Sequence, residues 1–147
     1  MTHARAYLIL LRMHIPTAPR VLVVDDDPSV RLFAERVLRD GGYDVTAVAD
    51  GETALSFVSR QQRPYDLFLV DLMMPVMTGD ELAAALRRVE PDIKVLYFTA
   101  FGDQLFKEKG LLWHDEAYLD KPVTATGLLE AVSLLLYGHT LGPQTPS

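Results

Sequence analysis

Asp71 closes an apolar run, Leu67-Phe68-Leu69-Val70, and is followed by Leu72-Met73-Met74-Pro75 and then Thr78-Gly79. An earlier run, Val21-Leu22-Val23-Val24, ends in Asp25-Asp26-Asp27. Val95-Leu96-Tyr97-Phe98 ends in Thr99-Ala100, and Ala117-Tyr118-Leu119 leads to Lys121-Pro122. Buried-type strands that each end in such a residue bring them all to one edge of one sheet. Several carboxylates gathered there are unfavourable unless a cation or a reaction needs them. An acid pair, a lone Asp, a hydroxyl and a Lys-Pro, in that order, fit phosphoryl transfer beside a divalent metal.

The chemistry assigns a role to each residue. Mg²⁺, or Mn²⁺, takes oxygen ligands and keeps several waters. Asp26 and Asp71 offer one carboxylate oxygen each, the Met73 backbone carbonyl offers a third, and Asp25 holds a metal-bound water. The cation offsets repulsion among the acids and leaves Asp71 ionised as the nucleophile, hence the phospho-acceptor. The Thr99 hydroxyl and the Ala100 N–H can bond one phosphoryl oxygen. Lys121 reaches another as a point charge. Pro122 suits a tight turn, with a cis bond as one way to aim the lysine inward.

These residues need a scaffold, and the pattern alternates strand and helix throughout. Continuous apolar runs fit strands covered on both faces. Asp27 as N-cap and Pro28 at the first helical position open a helix with Val30, Phe33, Ala34, Val37 and Leu38 on one face, stopped by Gly41-Gly42. A weaker strand spans Asp44–Val48. A second helix opens at Asp50-Gly51-Glu52, with Ala54, Leu55 and Val58 inward, and Pro64 ends that segment. A third helix starts at Gly79, carries Leu82, Leu86 and Val89 at helical spacing, and is closed by Pro91. A helical piece is expected around Asp103–Leu111, weakened by Gly102 and Gly110. The last helix runs from about Thr124 to Tyr137 and stops at Gly138. Five βα units imply an α/β fold with a parallel sheet and helices on both faces. Ligands of such sheets bind outside the carboxyl ends of the strands, where all four chemical positions lie.

The 147 residues suit one domain, and 49% apolar with 23% charged residues is an ordinary globular balance. A net charge of −6 speaks against nucleic acid as a direct partner. With no cysteine, disulfides, thiol catalysis and Cys-zinc sites are excluded. His3, His14, His114 and His139 show no metal-ligand spacing. No stretch is long enough to span a bilayer. The apolar block Ala6–Leu11 is short for a signal-peptide core and lacks a clear cleavage site, so a cytoplasmic location is the default expectation.

The stretches VLVVDDDPSVR, LFLVDLMMPVMTGDEL, VLYFTA and YLDKPV together resemble the receiver domain of two-component response regulators, over about Arg20 to Tyr137. The resemblance implies a flavodoxin-like doubly wound fold, a five-stranded parallel sheet in the order 2-1-3-4-5. Residues 1–19 are then a flexible or loosely helical leader, 20–137 the receiver, and 138–147 a disordered tail. It further implies Asp71 as the phosphorylated aspartate, Asp25 and Asp26 as the acidic pair, Thr99 as the switch hydroxyl and Lys121 as the phosphoryl-contacting lysine. Tyr118 becomes the aromatic that turns inward when the hydroxyl is drawn to the phosphate. The phosphoryl donor would be a phosphohistidine on a sensor kinase or a phosphotransfer protein, and a downstream protein would read the switch.

The chain departs from that pattern in places. Leu111–Glu116 replaces a small-residue turn, and Asp120 sits where an apolar residue is more usual, competing for Lys121 if it points inward. Met73 and Phe101, two residues beyond Asp71 and Thr99, cannot orient a water by hydrogen bonding, so slow intrinsic dephosphorylation is expected. The last helix is apolar on more than one face, which fits either simple exposure or an interface, such as a homodimer through the last strand and helix. The expected role is a single-domain response regulator. Its rivals are a receiver excised from a hybrid kinase or larger regulator, a pseudo-receiver docking module, an aspartyl phosphatase, which would want an acid where Met73 stands, and a DNA-binding regulator.

Overall fold

The computed structural model describes residues 17–60, 63–100 and 116–138. In chain order these form β1 (Arg20–Val24), α1 (Pro28–Asp40), β2 (Asp44–Val48), α2 (Gly51–Arg60), β3 (Leu67–Asp71), α3 (Gly79–Val89), β4 (Val95–Thr99), β5 (Glu116–Asp120) and α4 (Ala125–Tyr137). The five strands make one parallel sheet in the order β2-β1-β3-β4-β5. This is the flavodoxin-like arrangement expected from the sequence. The helix anticipated near Asp103–Leu111, the leader up to residue 16 and the tail from residue 139 lie outside the described residues.

β1, β3 and β4 are buried along their whole length, as their unbroken apolar runs require when both faces are covered. Alternate strand residues feed two cores. Leu22, Val24, Phe68, Val70, Val95 and Tyr97 pack with residues of α2 and α3. Val21, Val23, Leu67, Leu69, Leu96 and Phe98 pack with residues of α1 and α4. Both layers hold the strand ends rigidly, and those ends carry the chemistry.

The helix starts follow local rules. Asp27 caps α1 by accepting from the Ser29 amide, with Pro28 in the first turn. Thr78 and Glu81 form a reciprocal capping box at α3. Thr124 caps α4, and Gly138 ends it at φ 77°, a left-handed value suited to glycine. Of the apolar residues at helical spacing on α3, Leu82 and Leu86 are buried, whereas Val89, the last residue of the helix, is exposed. On α4 the buried face includes Ser133, whose hydroxyl lies 3.4 Å from that of Tyr43, while Leu134 and Tyr137 are exposed. Among the described residues, no helix is long and apolar enough to cross a membrane.

Candidate functional site

The acids are delivered by β1 and β3. Asp25 follows β1 directly and is buried, Asp26 next to it is exposed, and Asp71 is the buried last residue of β3. Carboxylate oxygens from all three lie within 4.8 Å of one another. Backbone bonds fix the two buried acids. Asp25 Oδ1 accepts from the Asp27 amide at 2.9 Å, and Asp71 Oδ1 accepts from the Met73 amide at 3.2 Å. The other oxygen of Asp25, Oδ2, is buried and accepts no hydrogen bond.

Lys121, just past β5, points into this cluster. Its Nζ lies 3.2 Å from Asp25 Oδ2 and 3.4 Å from Asp71 Oδ1. Nζ also lies over the Phe98 ring, 5.3 Å from its centroid. The Lys121 amide donates to the Thr99 carbonyl at 2.9 Å, and the Lys121–Pro122 peptide is cis. Thr99 is buried at the end of β4, and Ala100 beyond it is exposed. Tyr118 is half-buried, lies opposite Tyr97 in the β4–β5 register, and packs on the core shared with α2 and α3. Asp120 is exposed, so it does not compete for the lysine.

The charge balance in this cluster is unfavourable for a third anion. The Asp71 carboxyl is pushed up to about 6, first by burial and then by the Asp25 charge, against the opposing pull of Lys121 and the Met73 amide. One lysine does not neutralise three acids. The all-oxygen donor set and three close carboxylates set against one lysine fit a hard divalent cation such as Mg²⁺.

Some contributors were not anticipated. Arg31 of α1 donates through Nη1 to the Asp25 carbonyl at 2.8 Å, pinning the acid loop. Gly79 is needed at its position, because a Cβ there would lie 2.5 Å from the Asp71 carbonyl oxygen and 2.8 Å from Leu72 Cα. Val76, at φ 71° in the loop after Asp71, is a fully exposed β-branched residue in left-handed backbone. Two grooves flank the site. One of about 410 Å³ is lined by Val30, Phe33, Phe98, Pro122 and Val123 beside Lys121. The other, of about 450 Å³, runs past Asp26, Asp50 and Glu52 to Met74 and Met77. Phe101 lies outside the described residues.

Comparison with known proteins gives a consistent result. Residues 21–133 match the family model of the response regulator receiver domain. The response regulator receiver protein CpdR of Brucella abortus is 31% identical over 117 residues, covering 80% of this chain and 96% of that protein. The transcriptional regulatory protein PrrA of Mycobacterium tuberculosis is 38% identical over 120 residues, 82% of this chain, but the chain spans only 51% of its length. Among solved structures, the chemotaxis response regulator CheY4 of Vibrio cholerae superposes with a TM-score of 0.72 at 31% identity, covering 82% of this chain and all of that one.

Proposed function

The chain belongs to the response regulator receiver family of two-component signalling, and from that premise we propose that Asp71 accepts a phosphoryl group from a phosphohistidine and thereby switches a protein-binding surface. The observation that carries this reading is the convergence of Asp25, Asp71 and Lys121 within salt-bridge distance at the carboxyl ends of β1, β3 and β5.

One Asp71 carboxylate oxygen attacks phosphorus while the P–N bond to the donor imidazole breaks, and the electron pair stays on that nitrogen. The Met73 amide, bonded to Asp71 Oδ1, fixes the orientation of the nucleophile. Lys121 turns from Asp71 to a phosphoryl oxygen, while the Thr99 hydroxyl and the Ala100 N–H receive another. A divalent cation held by Asp25, Asp26, Asp71 and the Met73 carbonyl neutralises charge on the transferring group when bound. Thr99, drawn toward the phosphoryl group, vacates space at the end of β4 for Tyr118, which couples the site to β5 and α4. The exposed Leu134 and Tyr137 on α4 suit a downstream protein partner or a second copy of the chain. Coverage of nearly all of the Brucella relative supports a stand-alone receiver spanning residues 20–137. The mycobacterial relative, about twice as long, supports the alternative of a receiver within a larger regulator.

Incubation with Mg²⁺ and phosphoramidate, whose P–N bond mimics phosphohistidine, should add one phosphoryl group to the intact mass. A protein that gains none from phosphoramidate, acetyl phosphate or a phosphohistidine donor is a docking module instead. Lys121→Ala should slow the gain about 10- to 100-fold, the worth of one charge-assisted hydrogen bond, in initial rates from the same mass assay. A parental rate would remove the lysine from the mechanism. The phosphoprotein should decay slowly, because Met73, 58% exposed beside the acceptor, offers only a weakly accepting thioether to a water. Phosphate release complete within seconds would refute that expectation.

A further inference from the structure

β5 is the edge strand of the sheet and pairs only with β4. Its register places Lys121, which follows it directly. Yet its apolar pattern hardly specifies that register. Tyr118 packs on one core while Ala117 and Leu119 pack on the other. A slip by one residue would exchange these faces and still bury apolar groups on both, so hydrophobic alternation alone discriminates poorly.

The polar residue at the start of the strand is different. The Glu116 side chain is fully buried. Its Oε2 accepts from the Tyr97 hydroxyl at 2.8 Å and is ion-paired and hydrogen-bonded with Arg87 Nη2. The Tyr97 side chain is also fully buried. A buried carboxylate and a buried phenol are tolerated only when partnered, and the best-attested use of such groups is to specify register. Here the three partners come from α3, β4 and β5, so they are satisfied together in one alignment. Moving β5 by one residue shifts Glu116 by about 3.3 Å and turns it to the other face, away from Tyr97 and Arg87. The same slip moves Lys121 by a similar distance, out of its 3.4 Å contact with Asp71.

We propose that the Arg87–Glu116–Tyr97 cluster is a register lock for β5 that positions Lys121 at the acid site from the opposite end of the strand. The three are positioning residues, and their effect on transfer rests on the reading of Lys121 as a phosphoryl contact.

The test separates positioning from bulk stability. The apolar triple replacement Arg87→Met, Glu116→Leu, Tyr97→Phe keeps volume and removes the buried charges, a change that often preserves or raises stability. Its melting temperature should match or exceed the parent's. Amide hydrogen exchange of residues 117–120 should nevertheless speed up at least about ten-fold relative to β1 and β3. Phosphorylation by phosphoramidate should slow about ten-fold, with Mg²⁺ affinity within about two-fold of the parent. Tyr97→Phe alone, which removes one hydroxyl and keeps the ring, should show the same pattern more weakly and serves if the triple variant does not fold. Exchange at β5 unchanged in a folded variant overturns the lock. Faster exchange with a parental transfer rate overturns the positioning role. A parental rate in Lys121→Ala would instead indict the reading of Lys121, while the exchange result would still decide the lock.

Discussion

Asp71→Asn gains no phosphoryl group and, without Mg²⁺ at pH 7.5, melts several degrees higher than the parent. The first effect follows from the missing nucleophile: an amide oxygen cannot form the acyl phosphate, and no other acid in the cluster receives a backbone amide on the side facing Lys121 as Asp71 does. The second follows from the cost of keeping Asp71 ionised. Its folded pKa, about 6, lies above the ordinary 3.8, chiefly through burial and secondly through Asp25. The fold therefore favours the protonated carboxyl. That contribution to stability is complete below the unfolded value and is lost as pH rises through about 6. Asparagine escapes the loss, so its advantage is full above about pH 6 and vanishes below about pH 4. A magnitude of about 1–3 kcal/mol corresponds to several degrees in a domain of this size. Mg²⁺ should shrink the difference by offsetting the charge in the parent. Thermal scans at pH 4 and 7.5, with and without Mg²⁺, check this. A variant no more stable than the parent at pH 7.5 would mean that Asp71 is not held ionised against its surroundings.

Chelation of divalent cations should reduce phosphorylation at least a hundred-fold, and added Mg²⁺ should restore it. An incoming phosphoryl group is anionic, and it must approach Asp71 past Asp25 and Asp26, whose carboxylates sit within 4.8 Å of the acceptor's. At an effective dielectric near 20, each like charge about 5 Å away costs about 3 kcal/mol. Lys121 offsets one such charge and leaves the other. Uncompensated, about 3 kcal/mol is roughly a hundred-fold in rate. Asp26→Ala removes one of these two charges together with one ligand for the cation, so it should narrow the gap between the rates with Mg²⁺ and with EDTA; Asp26 is exposed, and its loss leaves the core intact. Initial rates with EDTA, with Mg²⁺, and for Asp26→Ala read this directly. Transfer at the parental rate in EDTA would exclude the cation from the reaction.

Much of the site could be read from strand ends. Asp25, Asp71, Thr99 and Lys121 each follow an apolar run, and a run buried on both faces leaves little doubt about where a parallel sheet begins and ends its strands. Helix starts were equally legible where one side chain answers one backbone amide, as at Asp27-Pro28 and Thr78–Glu81. What escaped was non-local or orientational. Glu116 looked like the end of an irregular segment, and only the three-dimensional pairing with Tyr97 and Arg87, 19 and 29 residues away, gives it a role. Arg31 sits on a polar helix face, and its bond to the Asp25 carbonyl depends on how α1 leaves the acid loop. The outward direction of Asp120 depends on where the pleat of β5 stands at its last residue, which a three-residue apolar run does not determine. Val89 illustrates the limit of periodicity: the helical spacing was right, but the core ends one turn before the helix does.

The central claim is that Asp71 itself carries the phosphoryl group. The phosphorylated protein can be reduced with borohydride, which converts an aspartyl phosphate to homoserine, then digested and sequenced by tandem mass spectrometry. Homoserine at position 71, absent from protein that was never phosphorylated, is the predicted result. Homoserine at position 25 or 26, with aspartate intact at 71, would contradict the account.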